Sequence, residues 1–229
     1  LPPVIYNNQL ILITTDSVIK SFDINNGKIN WKYKINKTKN NILWSNFAKG
    51  SPWGGLSLDI KRGYLFFTTG NPESYHVGIY REGDNLYANS LVAFDLNKKK
   101  IAWHFQEIPH DVWNYDLAAP PILTMIKRKN KLVDVVVAVS KLGNVIMLDR
   151  ETGENIFEII YERAPTSNIP GERTSPYQIK IKKPEKICKS RFDINHLTDF
   201  DAEFKDEFKR EINDYNFGYP APPLLGKKN

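Results

Sequence analysis

One cysteine, Cys188, stands in a chain of 229 residues, which excludes an internal disulfide and any cysteine-based metal cage. No apolar run approaches the roughly 20 residues that a membrane helix requires. The formal charge is +6, yet the lysines are scattered and the dense basic runs (Lys98–Lys100, Lys127–Lys131, Lys180–Lys183) are short. No stripe of arginine interleaved with aromatics occurs, so the footprint of a nucleic-acid binder is missing and no nucleic-acid partner is expected. The positive balance follows instead from a composition rich in Lys, Asn and Ile. No methionine opens the chain and no signal peptide is present. Leu1-Pro2-Pro3 leads straight into a strand pattern, which reads as a cut inside a longer gene product, truncated at both ends; destination is therefore not legible.

Aromatic residues, by contrast, make up 12% of the chain, a share that suits packed sheets. They recur in a repeat. Asp23 precedes Trp31 by eight positions, Asp95 precedes Trp103 by eight, and Asp149 precedes Phe157 by eight. Gly27 and Gly153 stand four after their aspartates, and Lys99 takes that place in the middle copy. The spacing predicts a hairpin. A strand ends at the Asp, whose carboxylate can accept the N–H groups of the turn. The glycine supplies the positive φ that a tight turn requires, and the returning strand carries the aromatic. Runs read as alternating, at Leu10–Ile13, Tyr64–Phe67 and Asp134–Val139, precede the copies. Many short strands with turns at intervals predict an all-β repeat fold. The copies start 72 and 54 residues apart, so the first interval holds an insertion relative to a propeller blade of roughly 40–50 residues. A β-propeller fits, with a β-sandwich as the structural alternative.

After Glu162 the character changes. Pro165, Pro170, Pro176 and Pro184 punctuate a strand-poor stretch, followed by one helix that Thr198 or Asp199 can cap. Phe200, Phe204, Phe208, Ile212 and Tyr215 recur at helical spacing, a packing face rather than a ligand site. The expected organisation is partial propeller over 1–162 and a Pro-rich loop plus amphipathic helix, inserted between blades and docked on the propeller, over 163–229.

Four further segments accompany the repeat: Pro52-Trp53-Gly54-Gly55, Gly70-Asn71-Pro72, His110-Asp111-Val112-Trp113-Asn114-Tyr115-Asp116 and Ser140-Lys141-Leu142-Gly143-Asn144. Together they resemble the dehydrogenases that use pyrroloquinoline quinone (PQQ). Phe105-Gln106 leading into His110-Asp111, and Pro170-Gly171-Glu172-Arg173-Thr174-Ser175-Pro176, point to the membrane-bound quinoprotein glucose dehydrogenase group. The resemblance runs from about Val4 to Leu224. It implies an eight-bladed propeller locked by tryptophan-docking repeats, of which this chain holds about three blades.

The resemblance also implies roles. Trp53 matches the tryptophan on which the flat quinone stacks, with Gly54 and Gly55 permitting close approach; blade packing is the structural alternative. Asn71, 18 positions after Trp53, matches a calcium ligand; its amide oxygen is a donor that hard cations accept, although a turn asparagine before Pro72 is equally explained by local chemistry. Lys141, 27 positions after Asn114, matches the lysine that hydrogen-bonds the quinone oxygens, against the alternative of a solvated loop lysine. One departure stands out. The family carries an aspartate general base where this chain has Asn114, and an amide cannot take a proton. Asp116, two positions on, would point the same way in an extended segment and is the replacement base expected here; Asp111 is a second carboxylate nearby. His110 is read as a hydrogen-bonded structural histidine.

The resemblance implies PQQ- and Ca2+-dependent oxidation of an alcohol or aldose in the periplasm, electrons passing to a membrane quinone, with any membrane anchor outside this chain. A rival reading is a non-catalytic propeller scaffold of the outer-membrane assembly type, or a catalytically dead quinoprotein relative, which Asn114 favours. Three blades cannot close a ring, so the fragment alone is expected to be inactive.

Overall fold

The computed structural model describes residues 2–35, 50–189, 195, 197, 202–215 and 218–227. Its first sheet orders β1 (Val4–Tyr6), β2 (Gln9–Ile13), β3 (Val18–Asp23) and β4 (Ile29–Lys34) as an antiparallel meander. A second four-stranded meander follows: β5 (Leu56–Asp59), β6 (Tyr64–Thr68), β7 (Ser90–Asp95) and β8 (Lys100–Gln106). The third sheet has three strands, β9 (Ile122–Arg128), β10 (Lys131–Val139) and β11 (Val145–Asp149); β12 (Ile159–Arg163) and β13 (Tyr177–Ile181) form a separate hairpin. These are the blades of a partial propeller.

The middle blade is apolar on both faces because both are covered. Leu65, Phe67, Val92 and Phe94 pack with Ile11, Ile13 and Ile19 of the first blade. Their alternates Phe66, Leu91 and Ala93 pack with Val136, Ala138, Ile146 and Leu148 of the third. Strands buried on both faces read as continuous hydrophobic runs, which is why Tyr64–Phe67 lacks the usual alternation. Each fully buried large side chain contributes about 1.5–3 kcal/mol.

The repeated turns close as the sequence predicts. Asp23 Oδ1 accepts the Asn25 N–H at 2.8 Å, Asp95 Oδ1 accepts those of Asn97 and Lys98 at 2.9 and 2.8 Å, and Asp149 Oδ1 accepts those of Glu151 and Thr152, both at 2.9 Å. Gly27, Lys99 and Gly153 all take positive φ, of 70°, 53° and 76°. Trp31 stacks at 6.0 Å on Phe94 of the next blade. Trp103 lies against the turn of the blade after its own, so close that a Cβ on Gly153 would fall 2.6 Å from its ring.

The third copy departs from expectation. After Asp149 the returning chain meets β11 in an isolated bridge between Leu148 and Asn155, and Phe157 lies outside any strand. The chain leaves the sheet because Ile159–Arg163 finds a different partner in Tyr177–Ile181, whose Ile179 and Ile181 are buried in the same core. This hairpin straddles the change of character at Glu162. The insertion in the first interval includes the long β6–β7 connection, residues 69–89, which carries Gly70-Asn71-Pro72. The helix α1 spans Ala202–Glu211. Its proposed caps, Thr198 and Asp199, and Phe200 lie outside the described residues. Phe208 sits 6.4 Å from Phe204 and 5.7 Å from Tyr215, while Phe204 stays exposed.

A left-handed backbone strains every residue but glycine. Lys99→Gly is therefore expected to raise stability by about 0.5–1 kcal/mol, and Gly153→Ala to lower it by about 2 kcal/mol or more because the new methyl meets the Trp103 ring. Urea unfolding midpoints check both.

Candidate functional site

The candidate residues reach one place from three loops. Pro52-Trp53-Gly54-Gly55 precedes β5, Gly70-Asn71 follows β6, and Asp111–Asp116 lies in the β8–β9 connection. The glycines explain how closely these loops approach. A Cβ on Gly54 would sit 2.6 Å from the Ala118 carbonyl oxygen, and one on Gly55 (φ 125°) would sit 2.8 Å from Pro120 Cβ. Gly54 and Gly55 thus let the chain pack closely on Ala118 and Pro120. A Cβ on Gly70 would lie 2.4 Å from Asp116 Oδ1 and 2.7 Å from Trp53 Nε1, so indole and carboxylate both crowd the Gly70 backbone.

Asp116 is buried at 4% exposure. Its Oδ1 accepts the Asn71 N–H at 2.8 Å, and its Oδ2 accepts the Lys141 ammonium. Lys141 also donates from Nζ to the Asn114 carbonyl at 3.2 Å and from its backbone N–H to the Asp116 carbonyl at 3.2 Å. Asn71 donates its side-chain Nδ2 to the Pro72 carbonyl at 3.2 Å, and its Oδ1 takes no hydrogen bond among the described residues. Trp53, Asn71 and Asp116 line one cavity of ≈ 370 Å³ with Thr15, Asp16 and Glu73. Trp53 is half exposed within it, at 49%. The volume is at the small end of the range for ligand sites.

The parity argument for Asp116 does not operate in this loop. Asn114 has a φ of 66° and His110 one of 50°, and left-handed residues break the alternation of an extended segment. What joins Asn114 to Asp116 is Lys141, which holds the carbonyl of one and the carboxylate of the other. Asp111 is occupied differently. Its carboxylate accepts the backbone N–H groups of Trp113, Asn114 and Tyr115 at 2.7, 3.1 and 2.9 Å and the Asn89 amide at 2.8 Å. Burial pushes the Asp111 carboxyl above its ordinary range, against those hydrogen bonds. It organises the loop.

His110 is structural, with Nδ1 2.7 Å from the Gly83 carbonyl and Nε2 2.8 Å from Glu172 Oε1. Glu172 Oε2 also accepts the Gly78 N–H. The Pro170–Pro176 stretch thereby pins both the β6–β7 connection and the His110 motif. Burial alone would raise the Glu172 carboxyl, but His110 and the Gly78 N–H hold it below its ordinary value. Trp113 donates Nε1 to the Ala221 carbonyl at 2.7 Å and packs edge-on to Tyr219 at 5.1 Å. Sequence reasoning noticed the Glu172 motif but gave it no task, since its partners lie 62 and 94 positions away.

Residues 2–226 match the family model described as "PQQ: Glucose/ethanol/alcohol dehydrogenase, beta-propeller domain". The chain belongs to this family. Quinoprotein glucose dehydrogenase of Escherichia coli is 28% identical over 194 residues, covering 77% of this chain and 24% of that protein. Quinoprotein glucose dehydrogenase A of Acinetobacter calcoaceticus is 30% identical over 165 residues, 69% of this chain and 20% of its own length. The crystal structure of quinohemoprotein alcohol dehydrogenase from Comamonas testosteroni shares the fold, with a TM-score of 0.58, 24% identity, and coverage of 74% of this chain and 30% of that one. The chain thus spans about a quarter of the length of the curated relatives it matches.

The residues present fit the quinone of the family's name. A half-exposed indole borders the cavity, and an amide oxygen without a donor lines it. Among the described residues no three His, Cys, Asp or Glu side chains converge on a metal position, and none of the described helices is long and apolar enough to cross a membrane.

Asp111→Ala would leave three partly buried backbone N–H groups without their acceptor. It is expected to destabilise the protein by about 2–4 kcal/mol, read as a fall in the urea midpoint.

Proposed function

We propose that this chain is part of a periplasmic PQQ- and calcium-dependent dehydrogenase that oxidises an alcohol or an aldose and passes the electrons to a membrane quinone. Residues 1–162 would form its propeller blades and 163–229 an excursion between blades, with any membrane anchor outside this chain. The observation that carries the reading is the convergence of Trp53, Asn71 and Asp116 on one cavity, with Lys141 on the same carboxylate.

Bound there, PQQ supplies a two-electron acceptor and calcium a Lewis acid that polarises it. Trp53 offers its ring face for stacking. Asn71 Oδ1 is the oxygen this chain offers the cation. Lys141 places a positive charge where a reduced oxygen would otherwise stand uncompensated. Asp116 receives the substrate hydroxyl proton. Each of its oxygens accepts one hydrogen bond from the described residues and keeps a lone pair for that purpose. Asn114, at the position of the family's base, serves through its carbonyl, as an acceptor for Lys141.

A second reading is favoured by Asn114 itself: a propeller that has lost its base and serves as a scaffold, for instance in outer-membrane assembly, or a quinoprotein relative that binds without turning over. Titrating the full-length protein with PQQ and Ca2+ is expected to quench tryptophan fluorescence, and Trp53→Ala to remove much of the quench. Asp116→Asn is expected to lower turnover at least a hundredfold. Absence of any quench in the wild type would sink the dehydrogenase reading, and a quench without turnover would select the inactive relative.

A further inference from the structure

Glu107 follows β8 directly and is sealed from solvent. Its Oε1 accepts hydrogen bonds from the Ser140 hydroxyl at 2.8 Å and the Asn144 amide at 2.7 Å. Its Oε2 has no partner among the described residues, and neither has Asn144 Oδ1. Two head groups in contact therefore each present a buried oxygen that can only accept, as long as Glu107 is ionised. Each such orphan bears its full desolvation penalty. A single proton resolves both. Placed on Glu107 Oε2, it makes that oxygen a donor, and the amide already bonded to this carboxyl carries an unpartnered acceptor, Asn144 Oδ1. Acid and amide then pair through two hydrogen bonds.

We propose that Glu107 is a neutral carboxylic acid paired with Asn144, and that this pair positions the Ser140–Asn144 turn so that Lys141 meets Asp116. The two partners of Glu107 bracket the turn. Ser140 donates its N–H to the Asn144 carbonyl at 3.2 Å, Gly143 donates to the Ser140 carbonyl at 2.9 Å, and Gly143 takes a φ of 75°. Lys141, inside this frame, reaches Asp116 Oδ2 and the Asn114 carbonyl. Glu107 touches none of the cavity residues and is a positioning residue.

The surrounding charges agree. Burial raises the proton affinity of Glu107, the Asn144 and Ser140 hydrogen bonds oppose it, Lys186 opposes it from the segment after β13, and Asp111 reinforces it from the following loop. Tyr219 of the C-terminal segment feels the same carboxyl. The result is a group pushed up to about 7. The sign of the linkage follows. Between the ordinary value of 4.5 and about 7 the folded chain keeps a proton that the unfolded chain releases. Stability therefore falls as pH rises through that window and levels off above it.

The test uses Glu107→Gln and Glu107→Ala in the full-length protein. Glutamine reproduces the neutral acid, its amide donating where the Oε2 proton did. Wild type is expected to lose urea resistance between about pH 5 and about pH 8, and Glu107→Gln to lose less over that interval. The infrared carbonyl band of a protonated carboxylic acid is expected in the wild type at about pH 6 and to vanish in Glu107→Gln. Equal pH slopes in the two proteins, or no such band to lose, would overturn the neutral acid. The positioning half rests on the dehydrogenase reading above. With PQQ and Ca2+ bound, Glu107→Gln should keep kcat within about twofold while Glu107→Ala loses about tenfold or more; equal losses in both would overturn that half. A wild type without turnover would count against the dehydrogenase reading and leave the infrared and unfolding results to decide the proton.

Discussion

The candidate site depends on one buried carboxylate. Asp116 lies between the second and third blades and accepts from both: the Asn71 N–H from the connection of the second blade, and the Lys141 ammonium from the turn of the third. Gly70 lies close against it, with Trp53 on the same glycine. A buried charge is tolerated only when it is paired and hydrogen-bonded, so the position of Asp116 obliges three separate loops to converge. The cavity between them is a consequence of that convergence.

The segment from His110 to Asp116 divides its tasks among several residues. Asp111 turns inward and gathers three successive N–H groups of its own loop, which fixes the left-handed geometry at Asn114. Asn114 then turns its carbonyl to Lys141. With an amide side chain at position 114, Asp116 is the acidic residue of this segment that lines the cavity. Around this first layer lies a second. Glu172 joins the β6–β7 connection to His110, and Glu107 holds the turn that carries Lys141. Both are buried, both reach across long sequence separations, and both tie together elements that carry the cavity residues.

How much of this could be read from the chain follows from the range of the interactions. The repeat was legible because an aspartate bonded to N–H groups two and three positions on, and a positive φ four positions on, are local chemistry. Lys99 shows its limit: the turn keeps its left-handed residue even where glycine is missing, because the flanking strands impose it. The aromatic of each repeat was legible as a packing residue, but not its target, since Trp31 and Trp103 dock on a blade formed later in the chain. The third repeat misled, because Ile159–Arg163 pairs with a strand that the proline-rich stretch conceals. Gly54 and Gly55 were legible as points of close approach, but not the chain segments they approach, Ala118 and Pro120.

The sequence by itself determined the all-β repeat and its turns, because strand periodicity and turn chemistry act over a few residues. Only the tertiary structure decided which carboxylate faces the cavity, which organises the loop, and which buried acids hold the site in place. Those choices depend on burial and on partners dozens of positions away, and no local pattern encodes either.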